Sequence, residues 1–279
     1  MKKINRINRI IGLTKLLTSR PGHLFALSDF TEQFGSAKST VSEDMLTIRT
    51  ALEDFEMGTL ETVAGAAGGI KFWPLLGKTQ ENKILQELIK LLAIPERILP
   101  GNYLYMSDIL YNPQLMISVG ELFLKRFFDQ KPDYVMTVET KGIPLAFMVA
   151  KAFGIPVVVV RRETRVTEGP TVNINYVSGS NRRINTMSVG KRSIPAGSKV
   201  LIVDDFMKAG ATAKALVDLA REIDALVVGV GVVVATSEPE KKICESYESL
   251  LTLEKIDEET GEIYVKPTSY RERSKGKKG

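Results

Sequence analysis

The sequence has very few of the residues that build covalent or metal-based frameworks. Its 279 residues include one cysteine, Cys244, and one histidine, His23. A single cysteine excludes a disulfide within the chain and is typical of a protein in the reducing cytoplasm, where we expect this one to act. One cysteine and one histidine are also too few for a zinc site of the usual kind.

Long apolar runs are missing as well. No stretch approaches the roughly 20 apolar residues of a transmembrane helix. The basic N-terminus has no uninterrupted apolar core and no small-residue cleavage site, so it does not have the pattern of a signal peptide. The hydrophobic fraction of 44% and the charged fraction of 25% are ordinary for a globular protein. We therefore expect no membrane partner, and the length suggests two domains of roughly 100–200 residues each.

Negative charge is nearly absent from both ends of the chain, whose formal net charge is +5. Residues 1–20 carry six lysines and arginines and no acid, and residues 266–279 carry six with Glu272 as the one acid. Both ends are candidates for contact with a polyanion such as nucleic acid. For residues 271–279 we expect a flexible, solvated tail.

The first 74 residues have the order of a winged helix-turn-helix domain. Ser28 is predicted to cap the second helix, Gly35 to end it, and the third helix carries one apolar stripe that ends at Phe55. In this arrangement the third helix enters the major groove of DNA, and the strands form the wing. The periodicity predicts three helices and then two strands: residues 5–18, 28–34, 39–55, 58–63 and 69–73.

Basic and hydroxyl-bearing side chains are the candidate contacts with DNA. Glu43 and Asp44 oppose this interpretation because carboxylates repel phosphates, although an acid can accept a hydrogen bond from cytosine. The alternative is a small helical domain that binds another protein. The predicted DNA contacts are Arg6, Arg9, Ser36, Lys38, Ser39, Thr40, Ser42 and Lys71.

After an amphipathic helix over residues 80–94, apolar strands alternate with helices, which predicts an α/β domain with a parallel sheet covered on both faces. We place the domain boundary at residues 74 and 75, so that the second domain covers 75–270. Residues 171–189 alternate on both sides of a Ser-Gly-Ser-Asn turn and predict a hairpin. In parallel sheets ligands bind at the carboxyl ends of the strands, where "ETKG" and "DDFMKAGAT" lie.

The stretch "VDDFMKAGAT", residues 203–212, has the composition of a sugar-phosphate site. The adjacent carboxylates of Asp204 and Asp205 need partners, which vicinal ribose hydroxyls or a magnesium ion would provide. The backbone amides that follow open onto a helix N-terminus, which favours an anion, and Thr212 adds a hydroxyl. The alternative is an ordinary strand–helix turn with an aspartate cap.

"VLIVDDFMKAGAT" resembles the phosphoribosyl pyrophosphate (PRPP) motif of type I phosphoribosyltransferases, and "ETKG" resembles their pyrophosphate loop. Together with the winged helix, "GAAGGIKF", "TKGIPLA", "VTEG" and "INYVSGS" make the chain similar to the purine operon repressors of Gram-positive bacteria. The resemblance covers nearly the whole chain except the basic tail. It implies a homodimer that binds double-stranded operator DNA through a winged helix and PRPP through a phosphoribosyltransferase-like domain. In that family PRPP, expected here with magnesium, weakens binding to purine-gene operators, and no catalytic residues are implied.

The resemblance also assigns parts of the ligand to residues. Asp204 and Asp205 would hold the ribose hydroxyls and, through the ligand, magnesium. Arg161 ends a strand near the expected pyrophosphate, and Tyr103 and Phe206 offer faces to a nucleobase, whereas we expect Tyr105 to pack. The remaining assignments are the 5-phosphate on Lys208, Ala209, Gly210, Ala211 and Thr212, and the pyrophosphate on Thr140, Lys141 and Gly142.

Lys208 bears on whether the site is catalytic. In hypoxanthine-type enzymes the matching residue is an aspartate placed to accept a proton from the base, which a charged lysine does not do. A lysine can instead pair with phosphate. We therefore expect a sensor and not an enzyme, and guanosine tetraphosphate is a candidate competitor of PRPP. Two alternatives stay open: an active purine phosphoribosyltransferase, for example for xanthine, with a regulatory head, and an RNA-binding sensor.

Overall fold

The N-terminal region consists of three helices and a two-stranded antiparallel wing in the computed structural model, which describes residues 4–65, 68–163, 169–177 and 183–269. Asn5 caps the first helix, since its side chain accepts a hydrogen bond from the Asn8 amide at 2.8 Å. Gly35, with φ of 57°, ends the second helix as predicted. The elements are α1 Arg6–Ser19, α2 Leu27–Phe34, α3 Lys38–Asp54, β1 Thr59–Val63 and β2 Gly69–Trp73.

Two local predictions in this region are wrong. Ser28 does not cap α2, because the helix begins one residue earlier and Ser28 already lies in its first turn, behind Ala26 at the cap position. Phe55 does not complete the apolar stripe of α3. The helix ends at Asp54, and the Phe55 side chain is 65% exposed. The rest of the stripe is buried against α1 and the wing: Val41, Met45, Ile48 and Leu52.

The second region is built on a six-stranded sheet with the strand order β12-β11-β10-β9-β5-β6. Five of these strands are parallel, as the alternation of strands and helices predicted, and β12 is an antiparallel edge. The strands of this region are β3 Ile98–Leu99, β4 Tyr103–Leu104, β5 Tyr134–Val138, β6 Val157–Val160, β7 Thr171–Val177, β8 Ile184–Gly190, β9 Lys199–Met207, β10 Leu226–Thr236, β11 Glu248–Asp257 and β12 Glu262–Pro267.

Helices cover both faces of this sheet. α4, α6 and α7 pack on one face, and α8 packs on the other together with the β7–β8 hairpin. The hairpin is joined to the end of β6 by a backbone bridge in which Arg161 and Ser188 exchange two hydrogen bonds of 2.8 Å. No helix among the described residues is long and apolar enough to cross a membrane. The helices are α4 Lys78–Leu92, α5 Ser107–Leu110, α6 Pro113–Phe127, α7 Gly142–Phe153 and α8 Ala211–Glu222.

The winged helix packs directly against α6 and α7. A Cβ on Gly22 would lie 2.3 Å from the carbonyl oxygen of Phe153, so the two backbones are in close contact at the end of α7. Beside this contact lies an inter-region cavity of about 240 Å³ that Glu121 of α6 lines. Burial raises the pKa of Glu121 to about 7, against the opposing charge of Lys151. Because the buried carboxylate becomes charged as the pH rises, Glu121 destabilises this interface at alkaline pH.

Candidate functional site

A cleft of about 300 Å³ opens where the carboxyl ends of the parallel strands meet the N-terminus of α8. Parallel strands end at one edge of the sheet, which is why residues from distant parts of the sequence converge there. From the predicted set, the structure brings together Tyr103, Lys141, Asp204, Asp205, Phe206, Lys208, Ala209, Gly210, Ala211 and Thr212 around this cleft. Thr140, Gly142 and Arg161 lie beside it without lining it.

The two carboxylates at the end of β9 have different environments. Asp204 is 7% exposed, and its Oδ1 accepts a hydrogen bond from the Asp205 amide at 3.0 Å, whereas Asp205 is half-buried. Burial, and then the neighbouring Asp205 carboxylate, raise the pKa of Asp204 well above its ordinary value. A ligand that donates hydrogen bonds or brings a cation would relieve this cost.

The two aspartates fit a magnesium ion that a phosphorylated ligand also coordinates. The described residues contain no group of three or more His, Cys, Asp or Glu side chains that could hold a metal ion. Mg²⁺ is commonly bound through one or two carboxylates while substrate phosphates and water complete its coordination. Asp204 and Asp205 would therefore hold magnesium together with a phosphorylated ligand, and the ion would neutralise charge between them.

The loop over residues 208–212 presents backbone donors to the cleft. Gly210 has φ of 82°, a left-handed conformation that favours glycine, and α8 begins at the next residue. No side chain among the described residues caps α8, so the first amides of this helix remain free for a ligand. Uncapped amides and the helix dipole together favour an anion at this position, and the assignment of a phosphate to this loop stays a prediction.

The segment after β5 approaches the cleft from the other side. Lys141 is exposed and lines the cleft, and Gly142 begins α7 directly beneath it. The Glu139 carboxylate accepts hydrogen bonds from Arg161 Nη1 at 3.1 Å and from the Arg162 amide at 2.7 Å. Arg162 Nη1 in turn donates to the hydroxyl of Tyr176 on β7 at 3.2 Å. Arg161 thus anchors the loop and the hairpin beside the cleft.

Two of the three aromatic residues lie at the cleft, and the expectation that Tyr105 packs is wrong, because its side chain is exposed. Tyr103, which is 56% exposed, and Phe206 both line the cleft, whereas Tyr105 does not, although its side chain is 42% exposed. Sequence reasoning missed several lining residues. Thr236 and Leu253 pair across β10 and β11 at the same sheet edge, so the strand-end rule would have found them. No periodic pattern marks the others: Asn102, Leu104, Met106, Met207 and Ala213.

In the winged helix, Asp44 is removed from the surface by two arginines. It is 1% exposed and accepts hydrogen bonds from Arg9 Nε at 2.5 Å and Arg6 Nε at 3.2 Å. Arg9 is 7% exposed and lies inside the domain, so we interpret it as structural and not as a DNA contact. The Arg6 side chain stays 61% exposed. Of the two acids that opposed the DNA interface, Glu43 alone remains on the surface.

The first turn of α3 presents the remaining predicted contacts. Lys38, Ser39 and Ser42 are exposed, whereas Ser36 and Thr40 are half-buried. Lys71 on the wing is half-buried and its Nζ lies 5.7 Å from the centroid of the Trp73 ring, in reach of a cation–π contact. The wing tip, residues 66–67, the hairpin tip, residues 178–182, and the basic tail, residues 271–279, lie outside the described residues.

Comparisons with known proteins match both halves. A family model described as "Bacterial purine repressor, N-terminal" matches residues 5–74, and a phosphoribosyl transferase domain model matches residues 106–268. The chain is 48% identical to the purine biosynthesis transcriptional repressor PurR of Bacillus subtilis, over 91% of this chain and 90% of that protein. It is 37% identical to the purine biosynthesis transcriptional activator PurR of Lactococcus lactis, over 91% and 94% of the respective chains.

Part of the chain is also similar to phosphoribosyltransferase enzymes. A xanthine phosphoribosyltransferase of Lactobacillus delbrueckii is 36% identical over 54% of this chain and 81% of the enzyme. The solved structure of an adenine phosphoribosyltransferase from Rhodothermus marinus superimposes with a TM-score of 0.52 at 23% identity, over 62% of this chain and 99% of that one. This structural likeness establishes the fold of the second half: a type I phosphoribosyltransferase fold with a mostly parallel sheet.

Proposed function

Because this chain belongs to the bacterial purine repressor family, we propose that it is a DNA-binding regulator of purine-biosynthesis genes whose second domain senses PRPP. The observation that carries the sensing role is the cleft at the strand ends. There an uncapped helix N-terminus, two adjacent carboxylates and Lys141 face one another. These groups match the phosphate, ribose and pyrophosphate of one ligand.

Operator DNA engages the first turn of α3 and the wing. The exposed Lys38, Ser39 and Ser42 supply donors to phosphates or base edges, and the burial of Asp44 removes one opposing charge from this surface. A palindromic operator requires a two-fold symmetric dimer, so the acting form is a homodimer. The Bacillus protein is named a repressor and the Lactococcus protein an activator. We assign repression, in line with the higher identity.

PRPP occupies the cleft in a defined orientation. Its 5-phosphate lies on the amides of residues 208–212, its ribose hydroxyls donate to Asp204 and Asp205, and its pyrophosphate lies beside Lys141. Magnesium, shared between ligand and protein, neutralises part of the charge. Guanosine tetraphosphate also carries pyrophosphate and would compete for the same donors.

The cleft holds its ligand without consuming it. Lys208 stands where a hypoxanthine-type enzyme carries a proton-accepting aspartate, and an ammonium group serves as a phosphate partner and not as a base. The similarity to a xanthine phosphoribosyltransferase favours the enzyme as the second candidate function. Incubation with PRPP and each purine base distinguishes the two, because only an enzyme releases pyrophosphate at the rate of nucleotide formation.

α7 connects the cleft to the winged helix. It begins at Gly142, next to Lys141, and ends at Phe153, whose carbonyl lies against Gly22. Twelve residues at 1.5 Å per residue make a rod of about 18 Å. A ligand that moves the start of this helix therefore also moves the surface on which the DNA-binding domain rests. Coupling of this kind is reciprocal, so operator DNA weakens PRPP binding by the same factor.

Fluorescence anisotropy with a labelled purine-gene operator, titrated with and without PRPP and magnesium, tests the function. We expect PRPP to weaken binding. The Asp204→Ala/Asp205→Ala variant should bind the operator normally and lose the PRPP response. The control, Glu87→Ala/Glu222→Ala, changes the net charge equally at exposed positions away from the cleft and should respond like the wild type. Operator binding that PRPP leaves unchanged would refute the sensing role, and a normal response of the double aspartate variant would refute the pocket.

A further inference from the structure

A segment far from the motif supports the phosphate loop from behind. The segment formed by residues 236–244 begins at the last residue of β10 and packs on residues 208–210. The Ile243 amide donates to the Ala209 carbonyl at 2.8 Å, and the Thr236 hydroxyl lies 3.3 Å from the Lys208 carbonyl oxygen. A Cβ on Gly210 would lie 3.0 Å from the Cys244 amide nitrogen. We call residues 236–244 the backing segment.

Lys242 is the buried charge of this segment. It is 4% exposed, and its Nζ donates to Thr236 Oγ1 at 3.0 Å. No carboxylate within the described ranges lies close enough to Nζ to form an ion pair. Burial lowers the pKa of Lys242, and the nearby Glu238 carboxylate opposes this lowering. An ammonium group has three donors, and among the described residues Thr236 Oγ1 accepts from one of them.

The position of Lys242 places its charge behind the phosphate loop. Thr236, whose hydroxyl accepts the hydrogen bond from Lys242, lines the cleft. The hydroxyl proton lies between two carbonyl oxygens, that of Glu238 at 2.5 Å and that of Lys208 in the phosphate loop at 3.3 Å. A buried charge without a direct ion pair is unfavourable, whereas an anion on the other side of the loop would offset it. Lys241, its sequence neighbour, is exposed and lacks these contacts.

We propose that Lys242 is a positioning residue for a phosphate monoester in the cleft: it supplies a buried positive charge behind residues 208–210 and holds the loop through Thr236. The inference rests on the proposed function, because it requires a phosphorylated ligand on this loop. Lys242 does not touch the ligand. It raises the affinity of the loop for a dianion and has no comparable effect on a neutral sugar.

Lys242→Met tests the proposal, with Lys241→Met as the matched control. Ribose 5-phosphate and PRPP are the probes, and isothermal calorimetry measures their affinities. We expect Lys242→Met to weaken both ligands by about tenfold and Lys241→Met to change neither. The ligand-free Lys242→Met protein should melt at a higher temperature than the wild type, because the substitution removes an unpaired buried charge. A merely structural lysine would lower both the melting temperature and the affinity.

The pH profile provides the second readout. The phosphate group is a dianion above its second pKa of about 6, so its charge is constant from neutral to alkaline pH. Because the pKa of Lys242 is lowered, wild-type affinity should fall as the pH rises through that lowered value. Lys208 and Lys141 are the other cations at the cleft, and Glu238, Asp204 and Asp205 are the nearby acids. The Lys242→Met variant keeps all of these groups, so the difference between its pH profile of affinity and that of the wild type reports on Lys242.

The outcomes separate the two proposals. If the wild type binds neither ribose 5-phosphate nor PRPP, the proposed function fails and Lys242 has no ligand to position. If the wild type binds both, but Lys242→Met matches Lys241→Met in affinity and in pH profile, then the role of Lys242 is refuted and the proposed function stands. A Lys242→Met protein that melts lower and binds more weakly at every pH by the same factor would also refute it.

Discussion

Replacing Gly142 by alanine tests whether the start of α7 belongs to the ligand site. Gly142 does not have a positive φ, so its backbone conformation alone does not require glycine. The close packing around Gly142, however, leaves no room for a Cβ. A Cβ would lie 2.2 Å from Thr137 Oγ1 and 3.2 Å from Asp204 Oδ1. Thr137 is fully buried in β5, and a β-branched side chain there has little rotamer freedom to move away.

The size of the effect follows from this clash. Extra methyl groups in a packed interior cost about 1–3 kcal/mol, because neighbours and backbone must shift. Here the shift occurs between Lys141 and Asp204, so we expect the cost to fall on the ligand-bound geometry. PRPP affinity should then decrease about 5–150-fold. Operator binding without PRPP should stay close to that of the wild type, since the contacting residues of α3 lie elsewhere.

Calorimetry on a double-mutant cycle identifies the cause. Thr137→Ala removes the clashing oxygen and leaves a Cβ 3.5 Å away, which is an ordinary contact. It also removes a buried hydroxyl that has no hydrogen-bond partner among the described residues, so alone it should have little effect. Gly142→Ala combined with Thr137→Ala should recover most of the PRPP affinity. Wild-type affinity in a folded Gly142→Ala protein would refute the reasoning, and failure of the double variant to recover would show that the clash is not the cause.

Three further predictions concern the rest of the molecule. The pKa of Glu121, about 7, is raised, so wild-type stability is lost as the pH rises through about 7. Glu121→Gln should therefore raise the free energy of unfolding at alkaline pH by up to about 3 kcal/mol, less after solvent screening, and should not change it at acidic pH. Coincident melting curves of the two proteins at alkaline pH would contradict this. Lys38→Ala should weaken operator binding and reduce by about 1 the slope of the logarithm of the binding constant against the logarithm of the salt concentration, whereas the exposed-lysine control Lys83→Ala should do neither. Equal slopes for the two variants in anisotropy titrations would contradict a phosphate contact of Lys38. Arg9→Ala should destabilise the protein by about 3–5 kcal/mol in urea unfolding, because Asp44 loses a buried partner, and a loss of operator affinity without a loss of stability would argue against this.

The parts of the molecule that the sequence predicted are those with a strong local or periodic signal. The parallel strands are continuous apolar runs, the helices of the winged domain have clear stripes, and Gly35 ends its helix as a glycine in the left-handed conformation does. The cleft was predictable for a related reason. Carboxyl ends of parallel strands share an edge, so "ETKG" and "DDFMKAGAT" had to converge there.

What the sequence did not predict depends on contacts between distant residues. Asp44 looked like an obstacle to DNA binding, yet Arg6 and Arg9 lie 38 and 35 residues away along the chain and remove it from the surface. Lys242 reads as one of many lysines in a polar loop, and only the packing of the backing segment makes it a buried charge. Long-range contacts of this kind have no periodicity, so no pattern in the sequence identifies them.

The arrangement of the cleft explains how a phosphoribosyltransferase fold can serve regulation. A sensor needs a difference in ligand affinity between two states of the protein, and it does not need a base or a second substrate. The features that hold an anion are built into the backbone of residues 208–212 and into the sheet edge, so they persist when a catalytic side chain is replaced. In the proposed sensor, Lys208 would strengthen the hold on phosphate and would not act as a proton acceptor. Under the proposed function, α7 would connect a bound ligand to the winged helix, because the same twelve residues lie beside the cleft at one end and against Gly22 at the other.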